Sequence, residues 1–576
     1  MPNDATPAPA AFDLTARPWV PVLRTDGTEA ELSLTEVFAQ AADLRRLVGD
    51  VPTQEFALLR LLLAVLHDAV DGPADLDDWE ELWEGGIPAD TVADYLHKHR
   101  ERFDLLHPLT PFLQVADLRT GRDEYSSPDP IVADVPNNAR FFTMRALGTE
   151  SLTFAEAARW LVHAHAYDTS GIKSGAVGDP RLKGGKVYPQ GVGWAGNLGG
   201  VYIEGDTLQE TLLFNLVSFD TGKLHRRPHL DRPAWRLAPD TAEPLTGAEA
   251  VARPHGLRDL YTWQARRLRL HHDGTSVNGV LLAYGNPLTP RNLHQREPMT
   301  AWRRSPAQEK KLKEATVYLP RDHDPSRAAW RGLGALVTGE TRGREQRNEA
   351  AKDVVPRIID WFARLTVEGP LDDGNSLVRV RLVGAAYGTQ QSVIDEIVDD
   401  AVAIPVVLLH KRDGLLGRTA VAAVEDAENA VTVLGDLATD LARAAGRSGD
   451  LSRSTARDRG FAALDGPFRT WLRGLEPSDD PDYPTEQRRR WQLQVRGIVS
   501  EIGDDLVRAT GDAAWQGRVV HTSKGDLWLN TARADLLFRV GLRKALTMTL
   551  PEDAVAPEPP SGTGDDAPNR TTETQR

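Results

Sequence analysis

The chain has 576 residues, 41% of them hydrophobic and 26% charged, with a net charge of −15 and no cysteine. Such a composition belongs to a globular protein of roughly two to four domains, and the lack of cysteine excludes disulfides, thiolate metal sites and cysteine nucleophiles. The acidic balance weighs against a free-standing nucleic-acid binder, although local basic patches can still meet phosphate when partners supply most of the contacts.

Residues 1–11 are rich in Pro and Ala and are expected to be disordered; they show no basic stretch followed by an apolar one, so the expected compartment is the cytoplasm. Ser33-Leu-Thr-Glu36 is a capping box, with hydroxyl and carboxylate placed to satisfy the free amides of a helix start, and predicts a helix to about Leu47. Pro52 and Thr53 open a strongly apolar helix through Asp68. Arg60 interrupts that apolar run and His67 follows it, so it falls short of the ~20 apolar residues of a membrane span, and no membrane partner is expected. Thr153-Phe-Ala-Glu156 is a second capping box and predicts a helix to about Ala166.

Residues 171–206 are dense in glycine and read as loops and short strands. Strands are predicted at 201–203, 268–271, 280–283 and 377–383. From about Thr389 the texture reads as helical. Ala427, Val431, Leu434, Ala438 and Leu441 form one stripe at helical spacing, and Trp491, Val495, Ile498, Ile502 and Leu506 form another. Breaks fall at 411–417, 446–449 and 478–484, which leaves about four long helices and predicts a four-helix bundle. Residues 552–576 are rich in Pro, Asp and Thr and are expected to be a disordered tail. The expected class is α+β, with a mixed α/β N-terminal domain over 12–385 and a four-helix bundle over 386–551.

Catalytic patterns are lacking. Lys183-Gly-Gly-Lys186 hints at a phosphate loop, but the GxxxxGK[ST] spacing is not met and Val187 stands where a hydroxyl is needed. His163 and His165 are two apart on a predicted helix and point to different faces, which suits a structural role better than a metal. No catalytic residue, metal or cofactor is therefore expected. What remains is a basic segment at 290–313, with Arg291, Arg296, Arg303, Arg304, Lys310, Lys311 and Lys313 against Glu297 and Glu309. It reads either as a phosphate-facing surface or as a solvated charged loop. Arg488-Arg489-Arg490 and Lys411-Arg412 pose the same choice, with solvation favoured for each.

Several segments together resemble the CasA family, the large subunits of the type I-E CRISPR complex Cascade. These are Phe12-Asp-Leu-Thr-Ala-Arg-Pro-Trp-Val-Pro-Val22, Phe141-Phe142 after an Asn-rich approach, Asp168-Thr-Ser-Gly-Ile-Lys-Ser-Gly175, and Tyr387-Gly-Thr-Gln-Gln-Ser392. Their order and spacing hold from about residue 12 to 550. The resemblance implies a non-catalytic subunit that recognises the PAM, a short duplex tag beside the target, from the minor groove while guide RNA reads the target by pairing. Its implied partners are other Cascade subunits, guide crRNA, double-stranded DNA carrying a PAM, and a helicase–nuclease.

The resemblance also implies site residues. Gln391, with Gln390 beside it, takes the place of a glutamine wedge that parts base pairs; from the residues alone a polar turn capping the first bundle helix is the favoured reading, and the resemblance reverses that weighting. Asp168, Thr169, Ser170 and Gly171 take the place of a glycine loop pressed on the minor groove, where only Gly171 matches and Asp168 is set against phosphate. Arg291 takes the place of a lysine finger, with Asn292 and Arg296 as alternatives. Phe141 and Phe142 take the place of a guide-RNA contact. Two other readings stay open: a scaffold that binds protein and guide RNA without reading the PAM, and a stand-alone hydrolase with an unrecognised His/Asp site.

Overall fold

The computed structural model describes residues 11–133, 149–222, 224, 229–337, 353–371, 376–410, 414–522 and 525–549. The chain separates into two compact units, one of residues 1–424 and 465–484, the other of 425–464 and 485–576.

In the first unit the strands are β1 (Val20–Arg24), β2 (Glu29–Leu32), β3 (Leu44–Leu47), β4 (Lys173–Ser174), β5 (Lys186–Val187), β6 (Gly200–Glu204), β7 (Arg266–His272), β8 (Val277–Tyr284), β9 (Trp302–Arg304), β10 (Tyr318–Pro320), β11 (Asp353–Val354), β12 (Leu377–Tyr387) and β13 (Ile394–Pro405). They form three-stranded sheets of order β2-β1-β3, β10-β9-β11 and β13-β12-β6, and the two-stranded ribbons β4-β5 and β7-β8. The helices that matter for the site are α1 (Leu34–Ala39), α2 (Pro52–Ala69) and α3 (Phe154–Tyr167).

Helix α2 is the axis of this unit. Proline at its first turn has no amide to leave unsatisfied, and every residue from Thr53 to Asp68 except Glu55 is buried. Arg60, the polar break in that run, is held by a two-pronged ion pair: its two terminal nitrogens lie 2.9 Å from the two oxygens of Glu297. Trp194 Nε1 (2.8 Å) and the Met299 amide (3.0 Å) donate to the same carboxylate. Both capping boxes form as expected, at Ser33 and at Thr153.

Two expectations fail. The first helix ends at Ala39 rather than near Leu47, because residues 44–47 pair with β1 instead (Val22 opposite Leu47) and bury Leu44 and Leu47. Strand pairing there outweighs the helix propensity of an Ala- and Leu-rich stretch. The chain is also not helical from Thr389: β13 runs antiparallel to β12 along its whole length. Its four carboxylates resemble a solvated helix face, but its Ile and Val residues suit a pleated, half-buried surface. The boundary expected at 385/386 falls inside β12.

The C-terminal helices are α4 (Gly414–Ala444), α5 (Asp450–Arg473), α6 (Tyr483–Arg508) and α7 (Thr531–Ala545). Between the last two stands a hairpin of β14 (Arg518–Thr522) and β15 (Gly525–Leu529), which the periodicity did not reveal. Within the second unit all four helices meet. Gly460 of α5 lies against Val431 and Leu434 of α4, Gly541 of α7 against Val433 of α4, and Gly503 of α6 against Phe538 of α7. Arg459 pairs with Asp505 at 2.5 Å and Arg488 with Asp426 at 2.8 Å. The predicted stripes supply the core, with Ala427, Val431, Leu434, Ala438, Leu441, Trp491, Val495 and Ile502 buried.

Candidate nucleic-acid interface

Strands β12 and β13 are joined by a tight tip. The Gly388 amide donates to Val393 O (3.0 Å) and the Gln391 amide to Gly388 O (2.9 Å). Closing the tip puts Gln390 at φ 57° and Gln391 at φ 56°. Left-handed backbone costs a non-glycine residue about 1–3 kcal/mol and persists only where the surroundings over-determine it. Here the two paired strands do so. Both glutamine side chains are exposed, and neither amide has a hydrogen-bond partner among the described residues.

Loop 168–171 follows directly from α3 and is pinned from inside. The Asp168 carboxylate is buried between Lys173 Nζ (2.8 Å) and Arg266 Nε. Burial would raise this carboxyl's pKa, but Lys173 and Arg266 outweigh it and hold the group below its ordinary value. The Arg266 guanidinium also donates to the carbonyls of Asp168 (2.9 Å), Thr169 (3.1 Å) and Gly191 (2.9 Å). Tyr284 Oη donates to Gly171 O at 2.6 Å. Asp168 is thus turned inward and charge-compensated, which removes the conflict with phosphate that its position in the sequence implied.

The structure brings the loop and the hairpin tip together. The Ser170 amide donates to Gln391 O at 2.7 Å. Below it, the buried Tyr387 hydroxyl donates to Tyr167 O at 2.7 Å. A side chain at Gly196 would clash with that hydroxyl, so glycine is required there. The Thr169 amide and hydroxyl and the Gly171 amide have no partner among the described residues. The joined loop and tip therefore present unpartnered donors beside two exposed side-chain amides.

Arg291, Asn292 and Arg296 are held by other neighbours. Arg291 lies 3.3 Å from Glu314. Asn292, at φ 59°, donates to Glu314 (3.2 Å) and accepts from the Tyr318 amide (2.8 Å). Arg296 reaches the carbonyls of Arg253 and Pro254, each at 3.5 Å. The basic segment is partly neutralised within itself, since Arg304 pairs with Glu309 at 2.7 Å.

His163 and His165 are buried; burial drives their pKa values down to about 3 and about 4. They bond Thr53 Oγ1 and Leu113 O, each at 2.9 Å. Among the described residues no group of acidic and histidine side chains could hold a metal ion, and no helix is long and apolar enough to cross a membrane. Phe141, Phe142, Lys411 and Arg412 lie outside the described residues, as do residues 1–10 and 551–576. Arg266 and Tyr284 escaped the sequence reading, and Tyr387 entered it only as part of the 387–392 motif. The one signal available was Asp168 five residues before Lys173, an acid and a base in a glycine-rich stretch.

Residues 13–502 match the profile of the family described as CRISPR-associated protein Cse1. The CRISPR-associated protein CasA/Cse1 of Thermus thermophilus is 34% identical over 303 residues, 51% of this chain. That match spans 55% of the relative's own length. The crystal structure of Thermobifida fusca Cse1 superposes with a TM-score of 0.86 at 64% identity, covering 94% of this chain and 99% of that one. A chain of a structure named CRISPR RNA-guided surveillance complex shares the fold, with a TM-score of 0.62 at 18% identity over 86% of this chain and 99% of its own.

Proposed function

The chain belongs to the CRISPR-associated Cse1 family, and on that premise we propose that it is the large, non-catalytic subunit of a type I-E CRISPR RNA-guided surveillance complex, reading the PAM in duplex DNA. In this reading loop 168–171 lies along the minor groove and Gln391 enters the stack beside the PAM. A planar amide can stack on a base pair while its polar ends meet exposed edges. Unstacking costs about a few kcal/mol per step, which the new contacts offset. Gln390 borders the wedge, and Arg291, with Asn292 and Arg296 near it, meets the groove wall. The wider groups of this reading are the other Cascade subunits, the guide crRNA that Phe141 and Phe142 contact, and a helicase–nuclease that docks once the R-loop forms. The mixed N-terminal domain, together with the β12–β13 hairpin that bears Gln390 and Gln391, carries the DNA and RNA contacts, the complex works in the cytoplasm, and no cofactor takes part.

The observation that carries this reading is the hydrogen bond from the Ser170 amide to Gln391 O. It makes a base-reading loop and a base-parting hairpin one surface, with free donors on one and free amides on the other. The test is a gel shift of the guide-RNA complex, with and without this subunit, on target duplexes carrying randomised flanking trinucleotides. The expected result is binding to a subset of flanks only when the subunit is present. Flank-independent binding would replace this reading with a scaffold that binds protein and guide RNA alone.

A further inference from the structure

The turn 183–186 has no part in the proposed PAM readout. Its ends form a bridge: the Lys183 amide donates to Lys186 O (2.9 Å) and the Lys186 amide to Lys183 O (3.2 Å). The two central residues, Gly184 and Gly185, take φ values of 58° and 78°. Positive φ at both positions is the mark of a type I′ hairpin turn, which glycine adopts without steric cost. The turn leads into strand β5 and not into a helix, so the segment is no nucleotide-binding loop of the P-loop kind.

The turn sets Lys183 directly opposite Lys186. Both side chains are exposed, and neither has a hydrogen-bond or ion-pair partner among the described residues. Like charges facing each other across a strand pair are unfavourable by themselves. The nearby carboxylates are already engaged: Asp179 binds Arg181 at 2.9 Å, and Asp168 binds Lys173 and Arg266. The ribbon base is fixed as well. Arg181 donates to Tyr284 O (2.7 Å) and Gly285 O (3.0 Å), and Ala176 packs with Val115, Leu118, Leu281 and Ala283. A rigid stem thus carries a pair of uncompensated cations, on a chain whose net charge is −15.

Position identifies the anion. Lys186 lies opposite Ser174, three residues beyond Gly171. At about 3.3 Å per residue of extended chain, the lysine pair stands about 10 Å along from the loop, or about three base pairs of duplex. DNA carries one charge per ~1.7 Å of axis, so phosphates fall within that reach. We infer that the turn 183–186 is a phosphate clamp for duplex DNA, gripping the backbone beside the base pairs that loop 168–171 and Gln391 meet. This inference rests on the PAM-reading proposal.

The experiment uses the assembled guide-RNA complex containing either the wild-type chain, K183A/K186A or K183R/K186R. Affinity for target duplex is measured across a salt series and on several flanks. The alanine pair should bind about 3- to 10-fold more weakly at moderate salt, with the log–log salt slope shallower by about 1–2 and the ranking of flanks kept. The arginine pair, which keeps both charges, should match the wild type. An unchanged slope and affinity in K183A/K186A, with the wild type still selecting flanks, would overturn the clamp alone. A shallow slope in the arginine pair would also overturn it, since charge would then not be the cause. A wild-type complex that selects no flank would overturn the PAM-reading proposal and the clamp with it.

Discussion

At Gln390 and Gln391 the backbone holds two neighbouring side chains in a conformation that favours glycine. A turn that needed only to reverse the chain would place glycine or asparagine there. Keeping two glutamines costs stability and gains two exposed amides at a fixed height. Gln391→Ala should leave assembly intact and weaken binding to closed duplex by about tenfold, roughly 1.4 kcal/mol. Binding to the same target with the flanking pairs already mismatched should be unchanged. Equal opening of closed duplex by both proteins, read by permanganate footprinting, would reject the wedge. Arg291→Ala should lower duplex affinity and flatten the salt slope by about 1; unchanged affinity at every salt concentration would remove it from the interface.

Asp168 sets a pH dependence. Its carboxyl is held below the ordinary value of 3.8 by Lys173 and Arg266. A group depressed in the folded state stabilises the fold above its unfolded pKa, and that stabilisation is lost as pH falls through the folded pKa. The wild type should therefore lose stability as pH drops below about 4. Asp168→Asn, which leaves two buried cations unpaired, should cost about 3–5 kcal/mol at pH 7. The gap between the two proteins should narrow at pH 3. Urea unfolding at both values checks this, and a gap independent of pH would show that the carboxylate charge is not what pins the loop.

At the scale of elements, the fold depends on polar ties between segments far apart in sequence. The Arg60–Glu297 pair joins α2 to the segment that leads into β9, with both side chains almost fully buried. A buried ion pair is weak support for stability as such, but removing one partner strands the other in low dielectric. Glu297→Gln should lower unfolding free energy by about 3–5 kcal/mol and broaden or split the thermal transition. A shift below about 1 kcal/mol, the size expected of a surface pair, would mean that water reaches the site. The same logic explains why β12 and β13 can hold a strained tip: it is fixed by a long ladder, whose register shifts once at Ala386/Tyr387, and, through Ser170, by a loop that Arg266 anchors.

For the whole molecule, a net charge of −15 opposes approach to DNA. Screening over about 8 Å at physiological salt lets a local cluster act against that background only at short range. Under the proposed function the isolated chain should therefore bind PAM-containing duplex at least ~100-fold more weakly than the assembled complex, in which partner subunits would supply phosphate contacts. Comparable affinity of the free chain in a filter-binding assay would place the electrostatic work on this subunit alone.

The sequence determined what local physics determines. Capping boxes at Ser33 and Thr153, the apolar run of α2 and the heptad-like stripes of the C-terminal helices each follow from spacing along one element. The glycine-rich stretch announced its loops, and the motifs at 12–22, 168–175 and 387–392 carried the family. Tertiary structure decided the rest, because the deciding partner in each case lies far along the chain. Residues 44–47 became a strand by pairing with β1, and β13 became a strand by pairing with β12. Asp168, legible only as a misplaced acid, became an anchor because Arg266 folds back onto it across 98 residues. Gln391 and Ser170 became one surface through a single hydrogen bond that no spacing in the sequence contains.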